Sequence, residues 1–191
     1  KTFIDGDTML IKGLNLQDES TYLVLDGDSE NSILLSTSDP EKLVSGNQIS
    51  LKLQGIEAGV HAIQVYHSLK IGKPATEHKG FSSNTFSFIL APEIINYSLI
   101  GNILSITVKP DIPAKRGYSI ILNRIVTAAG DTGIREFKLD ETNNSPVPKS
   151  SVDIDINSLN LPIGDYLIRF KINNAISVFS DDYQSPKISI V

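Results

Sequence analysis

The feature that most constrains this chain is alternation. Apolar and polar side chains follow one another with a period of two in TMLIKG, TYLVL, QISLKL, VHAIQVYH, TFSFIL, ILSITVK, YSIILN, IREFKL, SVDIDI, YLIRFKI and KISIV. Clusters of Gly, Pro, Asn, Asp and Ser separate these segments. Successive side chains of a strand point to opposite faces, so each segment has one face for a core and one for water. A helix would need apolar residues recurring every three to four positions over about three turns, and turn residues interrupt nearly every window of that length. Short strands at this spacing predict an all-β chain built of sandwiches or barrels.

The chain has 191 residues, enough for one large domain or two small ones. Pro92 follows TFSFIL and cannot donate to a strand ladder, and EIINYSLIGNILSITV then opens a new set of strands. The boundary is therefore expected near Ala91–Glu93, with one immunoglobulin-like sandwich over residues 1–91 and a second over 92–191. A repeat supports the pairing. GVHAIQVYH at Gly59–His67 and GDYLIRFKI at Gly164–Ile172 occur late in each half, at a separation that suits tandem domains better than a solenoid.

In the second copy, Tyr166, Ile168, Phe170 and Ile172 share one face, while Leu167, Arg169, Lys171 and Asn173 share the other. LPIGDY upstream matches a tyrosine corner, in which the ring packs inside and the hydroxyl bonds to upstream backbone. Gly59 and Gly164 read as tight-turn residues able to take a positive φ. In the first copy His61, Ile63, Val65 and His67 share a face, which makes His61 the counterpart of Tyr166: a packed structural residue with one hydrogen bond. His67 lies about 20 Å along the strand from His61, too far to share a metal. His78 falls in an expected loop. No catalytic, cofactor-binding or metal-ligating set is expected.

Composition removes several classes of function. The net charge of −5 offers no basic patch for nucleic acid. The longest apolar runs, such as Ile33–Leu35 and Ile120–Leu122, are too short to span a membrane. Without Cys there are no disulfides, thiolate sites or Cys nucleophiles, so packed cores must hold the domains, a usage that leans toward bacterial or phage-like material. Without Trp there is no Trp platform for sugars. The G-x-S-x-G, phosphate-loop and H-E-x-x-H patterns are absent. Asp26, Asp28 and Glu30 have the spacing of a calcium loop, but Asn31 and Thr37 stand where an EF-hand needs Gly and Glu. The segment reads as a solvated acidic turn, and the sequence leaves calcium binding open. Asn96 begins an N-Y-S glycosylation triplet within an expected strand. Residues 26–48, 67–84 and 140–150 read as exposed turn-rich inserts. Lys1 opens the chain with neither an initiator Met nor a signal-peptide pattern, as in a fragment or processed product.

Two groups of motifs carry a family resemblance. FSSNTFSFILAPEI resembles the end, and MLIKGLNL the first strand, of an immunoglobulin-like domain of the plexin and transcription-factor type. LSITVKPDIPAKRGYSIILN and LPIGDYLIRFKINNAIS resemble the C-terminal region of the cap, or tail-terminator, proteins of phage-tail-like contractile injection systems of the virulence-cassette and antifeeding-prophage type. The ordered series covers most of the chain. It departs from the family at Asn173-Asn174, often Asp-Gly there, and at Lys115-Arg116, where a Gln is common. The family's N-terminal domain, which carries assembly onto the tube, has no counterpart in these residues. The resemblance implies a non-enzymatic structural module without cofactors, assembled in the cytoplasm into a particle whose proteins are its partners. It also implies a ring in the full assembly, while the sequence leaves open whether the fragment alone is monomeric. The alternative is a surface adhesin or carbohydrate-binding immunoglobulin-like module with partners at a cell surface.

Overall fold

The computed structural model describes residues 1–18, 20–125, 136–180 and 184–191, with backbone only for 29–31. Among the described residues the regular elements are strands, apart from one 3-10 turn at Asn157–Leu159. The chain is all-β, and its strands form two compact units. One comprises Lys1–Gln54 with Val60–Ile89; the other comprises Gly55–Gly59 with Leu90–Val191. The short segment 55–59 thus groups with residues that follow it much later in sequence.

In the first unit the strands are β1 (Thr2–Phe3), β2 (Thr8–Lys12), β3 (Thr21–Leu25), β4 (Asp28–Leu34), β5 (Lys42–Ser45), β6 (Gln48–Lys52), β7 (Gly59–Ile71), β8 (Thr76–Ser82) and β9 (Phe86–Leu90). One sheet runs β1-β9-β7-β3-β4 with β8 beside β7, and the facing sheet runs β2-β6-β5. Met9, Ile49 and Leu51 from the smaller sheet, with Leu23, Ile63, Val65 and Phe88 from the larger, supply the buried core. Alternation places them there: Met9 is buried in β2 while Thr8 and Leu10 are exposed.

In the second unit the strands are β10 (Glu93–Ile100), β11 (Ile103–Ile112), β12 (Gly117–Arg124), β13 (Glu136–Thr142), β14 (Lys149–Asp155), β15 (Gly164–Ile172), β16 (Ala175–Ile176) and β17 (Lys187–Ile190). One sheet runs β10-β11-β14; the other runs β13-β12-β15, with β16 and β17 both along the far side of β15. Leu104, Ile106, Val108 and Ile112 of β11 meet Ile120 and Leu122 of β12 and the whole inward face of β15 in a single cluster. The rings of Tyr118 and Phe170 stack within it, 5.2 Å apart.

Two hairpins show why their turn residues are needed. Asp26 (φ +53°) and Gly27 (φ +77°) join β3 to β4; Asn173 (φ +45°) and Asn174 (φ +67°) join β15 to β16. A two-residue hairpin loop with positive φ at both positions is the type I′ turn, whose twist matches that of the strands. Asn and Asp tolerate that region because their short side chains bond locally. Asn173-Asn174 therefore does the work that Asp-Gly would do.

Three expectations for the inserts need correction. Residues 26–48 contain β4 and β5, and residues 67–84 form a hairpin in which β7 continues to Ile71 and β8 returns from Thr76. His78 accordingly lies in a strand, with Nε2 3.0 Å from the Thr76 hydroxyl. Most of β8 is exposed, so pairing along the main chain holds the hairpin without an apolar face to reveal it in sequence. The third insert narrows to a loop between Thr142 and Lys149, and it is pinned from inside. Asn143 is buried; its Nδ2 donates to the carbonyls of Ile112 (3.1 Å) and Pro113 (3.0 Å), and its Oδ1 accepts from Ser145 N (3.1 Å).

Asn143→Ala leaves these buried carbonyls without their donor, a loss of about 2–3 kcal/mol. A lower urea midpoint for the second unit is the expected result; an unchanged midpoint contradicts the pinning role.

Candidate functional site

The two repeat strands sit in equivalent surroundings within their own sheets. β7 lies between β9, last in its unit, and β3; β15 lies between β17, last in its unit, and β12. Their leading residues are anchored differently. Tyr166 is fully buried, and its hydroxyl donates to the Pro162 carbonyl at 2.5 Å, four residues upstream. Its ring meets Phe137 edge-on at 5.9 Å. Burial raises the Tyr166 pKa, with Arg124 acting in the opposite direction.

His61 is buried against Phe88, with ring centroids 5.4 Å apart. Its Nδ1 lies 2.7 Å from Oδ2 of Asp26, and Oδ1 of the same carboxylate accepts from Ala62 N at 2.7 Å. The register explains the pairing. Leu25 opposes Ile63 in an antiparallel pair, so the residues of β7 that precede Ile63, Ala62 and His61, run alongside the Asp26–Gly27 turn. An imidazole is shorter than a phenol, so the bond goes to the neighbouring hairpin, where Tyr166 reaches its own upstream loop. The acidic segment is thereby redefined: Asp26 uses both carboxylate oxygens on the first repeat strand. The side chain of Glu30, the third member of the suggested calcium spacing, lies outside the described residues.

His67 closes the other end of the same face. Nδ1 is 3.1 Å from the hydroxyl of Thr21, its direct cross-strand partner, and Nε2 is 2.9 Å from the Asn15 carbonyl. The Thr21 hydroxyl also accepts from Asp18 N at 3.0 Å. His67 therefore ties the segment before β3 to the sheet. His61 and His67 are not brought together, as their spacing requires.

The two glycines differ. Gly164 has φ +149°, and a Cβ there would come within 3.3 Å of Arg124 Nε. Gly59 is not among the glycines with positive φ, which corrects the turn reading at that position; the left-handed residue upstream is Gly55, at φ +72°. Gly59 is instead the buried first residue of β7.

Other ionisable groups hold strands together. Asp140 accepts from Ser119 Oγ at 2.5 Å and pairs with Lys138. The Lys138 bond, then the Ser119 bond, keep its carboxyl below the usual range. Asp165 accepts from Ser189 Oγ at 2.6 Å and from Lys187 Nζ at 3.3 Å, and these bonds lower its pKa in that order. On the first unit Tyr22 and Tyr66, direct cross-strand partners, stack at 5.1 Å. Sequence pattern identified the motif strands but missed Asp26, Asn15 and Thr21 as partners, since they join the histidines through pairing of remote segments.

No protein-family model and no curated protein matches the chain. Among solved structures, the chain is similar to a DUF4785 family protein from Legionella pneumophila, with 13% sequence identity and a TM-score of 0.35 over 91% of this chain and 51% of that one. The chain spans about half the length of that protein.

Removing one hydroxyl tests the corner. Tyr166→Phe should destabilise the second unit by about 1–2 kcal/mol, because the Pro162 carbonyl loses its donor; an unaltered unfolding midpoint removes the assignment. A second expectation concerns acid. Asp140 and Asp165 have depressed pKa values in the fold. Each therefore contributes stability above its unfolded pKa of about 4, and loses it as pH falls through the folded value. The second unit should become easier to unfold in urea as pH drops below about 4. The double variant Asp140→Asn/Asp165→Asn should show a shallower acid loss.

Proposed function

We propose that the chain is a non-enzymatic structural and interaction module made of two tandem immunoglobulin-like sandwiches. We further propose that it forms the C-terminal part of a cap, or tail-terminator, protein in a contractile injection particle. The observation that carries the non-enzymatic reading is where the chemically suggestive side chains go. His61 bonds to a hairpin turn, His67 to a carbonyl and a buried hydroxyl, and Tyr166 to its own upstream loop. Each serves the framework.

Strand order supports the immunoglobulin-like assignment. That architecture sets strands C, F and G in one sheet, with C′ added in the larger form, against A, B, E and D. Here β9-β7-β3-β4 and β17-β15-β12-β13 follow the order G-F-C-C′. The facing sheet β2-β6-β5 follows B-E-D, and β10-β11-β14 follows A-B-E. The assembly reading rests on the ordered motifs from FSSNTFSFILAPEI to LPIGDYLIRFKINNAIS. The NNAIS segment has a defined role in the fold. After the Asn173–Asn174 turn, Ser177 accepts from Phe170 N at 2.9 Å through its hydroxyl and donates its own N–H to the Phe170 carbonyl at 2.8 Å.

Deleting the coding segment for these residues in the source cell and imaging the particles by electron microscopy tests the assignment. Aberrant tube termination or absent caps is the expected result. Normal particles, or a gene with no sheath, tube or baseplate genes beside it, overturn the assembly role. Specific glycan binding by the isolated chain would favour the adhesin instead.

A further inference from the structure

Among the described residues β2 ends its sheet and pairs with β6 alone. The register shows which of its groups remain open. Leu53 N donates to the Asp7 carbonyl, and Gly13 N donates to the Asn47 carbonyl, so the odd-numbered residues face β6. In an antiparallel pair the intervening residues point their N–H and C=O groups away. Those of Thr8, Leu10 and Lys12 therefore form an outward row of donors and acceptors.

Beside that row lies a groove within the first unit. One cavity, about 390 Å³, is lined by Leu10 to Leu14, Leu16, Ser83, Asn84 and Phe86, with the buried Ile63 and Val65 as its floor. A second of about 400 Å³ shares Leu14, Leu16, Val65 and Ser83 with it and adds Phe81 together with polar residues that include Asp18 and His67. Four large apolar side chains on its rim face solvent: Leu14 is 88% exposed, Phe81 76%, Leu10 55% and Phe86 44%. Scattered exposed apolar residues are ordinary, but a contiguous set around a cleft marks a binding surface. Among the described residues Lys12 is the only charged side chain lining the first cavity, and it makes no ion pair.

We propose that this groove binds an extended peptide strand that pairs with the outer edge of β2. The strand would carry apolar residues at alternate positions and an acidic residue opposite Lys12. An open edge supplies main-chain hydrogen bonds and flanking pockets supply specificity, which is how strand addition works. The apolar floor selects the inward side chains, and Lys12 fixes the register by charge. The inference is independent of the particle assignment, since it names the edge and the chemistry of what covers it.

The test uses a fluorescein-labelled probe peptide, Thr-Val-Thr-Val-Asp-Val-Thr-Val, read by anisotropy and by amide exchange. Binding should protect the amides of Leu10 and Lys12. The same peptide N-methylated on the edge facing β2 should bind at least about tenfold more weakly, since each methyl removes a donor. Lys12→Glu should weaken the Asp peptide and strengthen its Asp-to-Lys counterpart, a swap that two merely apolar surfaces would not show. Leu10→Pro deletes an outward N–H, which an edge strand tolerates, together with one apolar side chain of the rim, and should also weaken binding. If that variant fails to fold, the peptide-side comparisons still decide. The proposal fails if no peptide binds at millimolar concentration, if N-methylation changes nothing, or if protection appears on another edge. Self-association through β2, detected by sedimentation, overturns it equally.

Discussion

The second unit depends on the register of one strand. β15 presents Tyr166, Ile168, Phe170 and Ile172 to the core with no exposed surface, and it pairs along its length with β12. A slip of one residue would exchange that face for Leu167, Arg169 and Lys171, burying two charges with no counter-ion. Several independent devices forbid the slip. The corner bond fixes the strand's start, the Asn173–Asn174 turn fixes its end, and Ser177 locks the returning chain to Phe170. Outside the core, Arg169 Nε donates to Asn123 Oδ1 at 3.0 Å, so even the solvent face reports the same alignment.

The first unit solves the same problem with different parts. Near the start of its central strand stands an imidazole, and a carboxylate from the adjoining hairpin bonds to it. The substitution couples two features that sequence presents as unrelated: an acidic turn and a lone histidine. Once coupled, Asp26 is a fastening for β7.

Alternation made the strands legible wherever one face is buried, as in β2, β6, β11, β12 and β15. It also revealed the repeat and the inward set of β15. It failed for β8, whose exposed residues leave no apolar period, and for β4, where polar residues dominate. The tyrosine corner was readable because its partner lies four residues away. The partners of His61 and His67 were not, because pairing between β3 and β7 brings them from across the unit. Gly59 misled for a related reason: a glycine before a strand suggests a left-handed turn, but that conformation sits at Gly55. The open edge of β2 has no signature in the sequence, since it depends on which strand fails to arrive.

The fastening at Asp26 bears on how the protein ages. An aspartate followed by glycine is chemically fragile, because the small residue lets its backbone nitrogen attack the preceding carboxyl group and rearrange the chain into an isoaspartyl linkage. Here both carboxylate oxygens are engaged with β7, at 2.7 Å each. The turn keeps the geometry that Gly permits while restraining the reaction that Gly invites. The bonds that fasten β7 to the turn thus also restrict the carboxyl rotation that this rearrangement needs.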